Sequence, residues 1–241
     1  MAIISAFAGN ITLAFHPQIV KEYAVGNYSR FNYLICMGTK FQALVCILSI
    51  GPVFFNLNFL MNIWLDIVPP GAVALCQVLL INTIFFCFSS FVSYGIIATG
   101  RVKNINLALG ILNLISVVLF YITLKLTDSY VLTYMMNILV SSISTLIYVF
   151  ILKKNLVAFD IRAFIFYTIC PLLLVGVCSV ILSWMIALCP IHPLLQLLLS
   201  LLVCTTFTCA IAYKYLLDLN TKAFCKNYIL AKFQHYFYKA N

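Results

Sequence analysis

The side chains of this sequence that could act on a ligand are amides and hydroxyls set at helical spacing within long apolar runs. Asn82, Ser89 and Ser93 share a face at i, i+7 and i+11, and Asn106, Gly110 and Asn113 do so at i, i+4 and i+7. Asn137, Ser141, Ser144 and Tyr148 recur at i, i+4, i+7 and i+11, while Gln196, Ser200, Cys204 and Thr208 repeat every four residues. Polar stripes of this kind have two uses in a bilayer. They join helices through close approach and interhelical hydrogen bonds, or they line a water-filled cavity where amides and hydroxyls hold a polar ligand. Both uses are compatible with these spacings.

Bond-making chemistry has no visible machinery. There is no G-x-S-x-G, H-E-x-x-H or P-loop pattern and no paired carboxylates. The five acidic residues, Glu22, Asp66, Asp128, Asp160 and Asp218, are scattered along the chain, as are His16, His192 and His235. Eight of the ten cysteines fall in or beside apolar runs; Cys189 sits in a short turn and Cys225 in the tail. Without a C-x-x-C pair or a zinc-like Cys/His spacing they read as small hydrophobes. No enzyme activity and no cofactor are expected.

The elements that must position these residues follow from composition. Of 241 residues, 65% are hydrophobic and 8% charged, whereas a soluble domain is about 45–50% apolar and about 25% charged. With a mean hydropathy of +1.12, the expected fold class is all-α, a polytopic transmembrane helical bundle. A hydrocarbon core about 30 Å thick takes about 20 helical residues. Six runs meet that length: Phe41–Leu60, Val73–Ala98, Ile105–Leu124, Tyr130–Leu152, Phe164–Leu188 and Leu194–Leu216. Gly51-Pro52 makes the first the least regular, and Met1–Phe15 reads as a partial span, the inner end of one whose start is absent. Pro69-Pro70-Gly71 closes the loop before the second span, and Pro171 is expected to bend the fifth.

The formal charge of +9 is an orientation signal. Thirteen of the fourteen basic residues fall on alternate connections and the tail, and one, Lys125, falls on the other set. Basic loops stay cytoplasmic, so the C-terminus is expected inside and the turn Cys189–Pro193 outside. With no soluble domain to carry a basic face, nucleic acid is excluded as a partner. The tail segment Thr221–Lys239 interleaves Phe224, Tyr228, Phe233 and Tyr236 with lysines, a pattern suited to anionic membrane lipids.

Four stretches then resemble a known family. His16-Pro17-Gln18-Ile19-Val20-Lys21-Glu22-Tyr23-Ala24-Val25-Gly26-Asn27-Tyr28 resembles the N-P-Q-I-x-K-x-Y-A-x-G-D/N-Y loop of bacterial polysaccharide-export flippases, with His16 where the family usually has Asn. Gly38-Thr39-Lys40-Phe41 is similar to G-x-K-F at the inner end of a span, Trp64-Leu65-Asp66-Ile67-Val68-Pro69 to L-W-L-x-x-V-P, and Ala98-Thr99-Gly100-Arg101-Val102-Lys103 to A-T-G-K-I-K. These flippases belong to the multidrug/oligosaccharidyl-lipid/polysaccharide (MATE-like) superfamily, and the likeness covers about residues 7–154.

The resemblance implies the following expectations. Residues 1–154 would be helices of a MATE-like C-terminal lobe, 155–216 two additional transmembrane helices, and 217–241 a basic cytoplasmic tail. The protein would lie in the bacterial inner membrane and carry an undecaprenyl-diphosphate-linked oligosaccharide from the cytoplasmic to the periplasmic leaflet. Its partner would be an N-terminal six-helix lobe, missing here or separately encoded. Lys21, Lys40, Arg101 and Lys103 would receive the diphosphate, or they only set topology. Asn82, Asn106, Asn113 and Asn137 would line the groove for the sugar. A multidrug or cation antiporter of the same fold, and a truncated membrane protein without transport activity, are the alternatives.

Overall fold

The computed structural model describes residues 2–216, with side chains described from 9 to 214; the expected tail, 217–241, lies outside the described residues. Among those residues every regular element is helical. The order is α1 (Ala2–Ala24), α2 (Tyr28–Trp64), α3 (Ala72–Ala98), α4 (Lys103–Thr127), α5 (Tyr130–Asn155), α6 (Ile161–Phe164), a π turn (Ile165–Ile169), α7 (Cys170–Ala187) and α8 (Pro193–Ile211). Six helical stretches are long and apolar enough to cross a membrane, counting α6 to α7 as one and α8 onward to Lys214 as another. They coincide with the six expected spans, so the fold is an all-α polytopic bundle.

Two boundaries differ from expectation, and the packing explains both. The stretch read as a loop after Phe15 is helix as far as Ala24. α2 starts at Tyr28, thirteen residues before the expected Phe41, and runs 37 residues, about 55 Å. Both extensions are held by the same contacts: Ile19 and Phe31 are fully buried, and Tyr23 packs on Phe31 with ring centroids 5.7 Å apart. Pro17 costs α1 one backbone hydrogen bond, but the flanking turns are anchored by apolar contact. The residues joining the two helices shrink to Val25–Asn27.

The sequence of that joint explains its shape. The Asn27 amide N–H donates to the Glu22 carbonyl and the Gly26 N–H to the Tyr23 carbonyl, each at 3.0 Å, the paired bonds of a Schellman helix stop. Gly26 takes φ +78° there, a conformation that costs other residues energy. The Asn27 side chain then accepts the Arg30 N–H as the N-cap of α2. A comparable joint ends α3. There the Asn155 side chain donates to Thr99 Oγ1 and to the Arg101 carbonyl, each at 3.3 Å, tying the α3–α4 turn to α5.

α2 is the hub. It packs on α1, α3, α7 and α8, while among the described residues α3 and α5 share the most extensive interface and α4 has α5 as its one substantial neighbour. Paired contacts set the directions. Gln42 meets Ser90 and Gln77 meets Phe54, so α2 and α3 are antiparallel. Tyr130 reaches Pro70 and Thr145 reaches Phe85, so α3 and α5 are parallel. Close approach depends on small residues, because lipid offers helices little hydrophobic incentive to associate. A Cβ on Gly38 would lie 2.0 Å from the Phe91 ring, and one on Gly51 2.2 Å from Ser179 Oγ.

α2 continues through Gly51-Pro52. The Pro52 carbonyl accepts Asn56 Nδ2 at 2.8 Å, and the same nitrogen donates to Ser200 Oγ at 3.1 Å. Ser200, Cys204 and Thr208 are fully buried, and Cys204 Sγ donates to the Ser179 carbonyl at 3.5 Å. The Ser200–Thr208 part of the α8 stripe is therefore packed between helices. Before Pro171 the helix widens into the π turn, where the Cys170 N–H reaches back to the Ile165 carbonyl. This is how the chain absorbs the missing proline N–H.

Candidate functional site

Polar groups gather where α1, α2 and α3 meet. On α2, Thr39 and Gln42 are fully buried. Thr39 Oγ1 donates to the Ile35 carbonyl at 2.8 Å, and Gln42 Oε1 accepts Ser90 Oγ of α3. One turn further along α3, the Tyr94 ring stacks edge-on against His16 of α1, with centroids 4.7 Å apart and planes at 64°. Nε2 of His16 is buried and has no hydrogen-bond partner among the described residues. Phe15 against Phe91, at 5.6 Å, closes the seam from below. The sequence reading missed this cluster because His16-Pro17 looked like loop; once α1 is helical to Ala24, His16 falls on a face toward α3.

Lys40 sits half-buried on α2 between Thr39 and Phe41. It was expected at the inner end of a span, but Gln42 pairs with Ser90, eight residues before the last residue of α3. That puts the level of Lys40 roughly 10 Å inside the bundle, because α2 extends toward the basic end past the point where the apolar run begins. Lys21, Arg101 and Lys103 are exposed, Lys21 in the last turn of α1 and the other two at the α3–α4 junction.

The asparagines divide. Asn82 on α3 and Asn137 on α5 are half-buried, and Asn82 Oδ1 is buried without a partner among the described residues. The parallel register of α3 and α5, offset by 60 residues at two contacts, puts Asn137 level with Gln77 and Asn82 level with Ser142. Asn106 and Asn113 are exposed on α4, apart from the α1–α3 seam. The eight expected residues thus fall into three places: exposed cations at one end, groups within the bundle, and the open flank of α4.

The seam offers neutral donors and acceptors together with the His16 imidazole, and Lys40 follows Thr39 on α2. Among the described residues no group of three or more His, Cys, Asp or Glu converges as a metal site would require. Groups of this kind can hold a polar ligand through hydrogen bonds, and a lysine ammonium can add a charge-assisted one. Compared with known protein families, with characterised proteins and with solved structures, the chain matches none.

Proposed function

We propose that this chain is one lobe of a bacterial inner-membrane flippase for lipid-linked oligosaccharides, with its basic end toward the cytoplasm. The observation that carries the reading is the ordered set of four stretches, His16–Tyr28, Gly38–Phe41, Trp64–Pro69 and Ala98–Lys103. The physics of the task agrees with the layout. A sugar headgroup crossing hydrocarbon loses its water, and each polar group left unpaired costs on the order of 2–7 kcal/mol. A track of amides, hydroxyls and a phenol lowers that cost while the polyprenyl tail stays in lipid.

In this reading Lys21, Arg101 and Lys103 draw the diphosphate to the cytoplasmic leaflet. Lys40 and His16 take it a step deeper, beside Gln42, Ser90 and Tyr94, and Asn82 and Asn137 serve the sugar beyond. The facing wall comes from a six-helix lobe outside this chain. The test is photolabelling of the chain in proteoliposomes by undecaprenyl-diphosphate oligosaccharide carrying a photoreactive group in the sugar. Label is expected on α1–α3, displaced by unlabelled lipid-linked oligosaccharide and not by phospholipid. Label spread evenly over the helices, or indifferent to that competitor, overturns the proposal.

A further inference from the structure

The α4 flank stands outside the proposed track and has a problem of its own. Asn113 lies ten residues after Lys103 in a helix of 25, about 15 Å in from the basic end, near the middle of a bilayer. It is exposed, and so is Asn106; neither side-chain amide has a hydrogen-bond partner among the described residues. Lipid tails cannot supply one, and an amide left open to hydrocarbon is strongly unfavourable. Between the two, Gly110 is exposed, and a Cβ there would meet nothing within 4 Å.

At about 100° per residue, Asn106, Gly110 and Asn113 fall within an arc of roughly 60°. Ile105 and Ser116, the buried residues of α4, mark the face against α5, and the asparagine arc lies about a quarter turn from it. Among the described residues the arc is thus free of the bundle, polar at mid-depth, and open to close approach at its centre.

We infer that this face seats the same face of a second copy of the chain, α4 against α4. The amide chemistry selects that occupant. An asparagine side chain carries both donor and acceptor, so it complements its own counterpart. Two copies inserted in the same direction are related by a two-fold axis along the membrane normal, which brings their α4 helices together parallel. Asn106 and Asn113 each then meet their equivalents at equal depth and exchange reciprocal hydrogen bonds, and Gly110 lets the backbones close in between. Another six-helix lobe would need amides placed by chance at both depths; a second copy has them by symmetry. The inference does not depend on the flippase reading.

The test uses the full chain in liposomes. In a cysteine-free background, Gly110→Cys is expected to give an oxidant-dependent covalent dimer several-fold more readily than Ile111→Cys, at nearly the same depth and turned away from the arc. With energy transfer between labelled copies as readout, Asn113→Leu is expected to weaken association about threefold to tenfold, the range for one interhelical amide pair, and Asn113→Gln to retain it. If the cysteine-free chain does not insert, single-molecule photobleaching of the tagged native chain decides, with two steps expected. Equal cross-linking at both positions, association unchanged by Asn113→Leu, or one-step bleaching would overturn the inference.

Discussion

α2 and α4 are nearly the same helix by hydropathy and opposite in fate. Their most apolar windows have mean hydropathies of 2.0 and 2.4, yet 44% of the first is buried inside the bundle and 6% of the second. The difference lies in where each helix lets another come close. α2 has Gly38 under Phe91 and Gly51 against Ser179, and its two buried amides are spent on neighbours, Gln42 on Ser90 and Asn56 on Ser200. α4 has Gly110, Asn106 and Asn113 on a face that no helix among the described residues covers. A centre and a periphery are therefore set by small and polar residues meeting partners, with greasiness common to both.

The comparison breaks most visibly if equal substitutions on the two helices have equal effects. Gly38→Leu puts a side chain into the Phe91 ring and is expected to cost about 3 kcal/mol or more by overpacking. Gly110→Leu is expected to leave folding unchanged or slightly improved, since nothing lies within reach and glycine is a poor helix former. Denaturation of both variants in mixed micelles reads the difference, and a large loss for Gly110→Leu would refute the peripheral placement of α4.

A finer contrast pairs the asparagines. Asn56→Leu removes the bonds to Pro52 and Ser200 and is expected to destabilise the fold by about 1 kcal/mol. Asn113→Leu should stay within about 0.5 kcal/mol for the monomer, in the same denaturation experiment. The smallest structural effect is expected for Arg101→Gln with Lys103→Gln. Both side chains are exposed at the α3–α4 junction, and eleven of the thirteen basic residues that the sequence pattern assigns to the cytoplasmic side remain (13 − 2). Melting and membrane orientation should both hold, while photolabelling by lipid-linked oligosaccharide falls several-fold; unchanged labelling would leave these cations a purely topological role.

Much of the helical order was legible because spans and joints write themselves in local chemistry. Long apolar runs marked the spans, whereas the helix stops at Gly26 and Gly100, both with positive φ, emerged from the structure. Pro69-Pro70-Gly71 marked the turn before α3. The misses share a different cause. Nothing local says that α1 continues past Pro17; that depends on Ile19 and Tyr23 finding α2. Nothing near Lys40 announces that α2 reaches twelve residues beyond it toward the basic end. The seam itself is a meeting of His16 with Tyr94 across 78 positions, invisible to any window. Stripes told which faces were polar, as at Ser200 and Cys204, but only packing told whether such a face meets a neighbour or stands open.

The parallel pairing of α3 with α5 bears on how the molecule is made. The partner that α3 needs most leaves the ribosome only after α4 has already been threaded the opposite way. α4 therefore enters lipid before α5, its one substantial neighbour among the described residues, has been made.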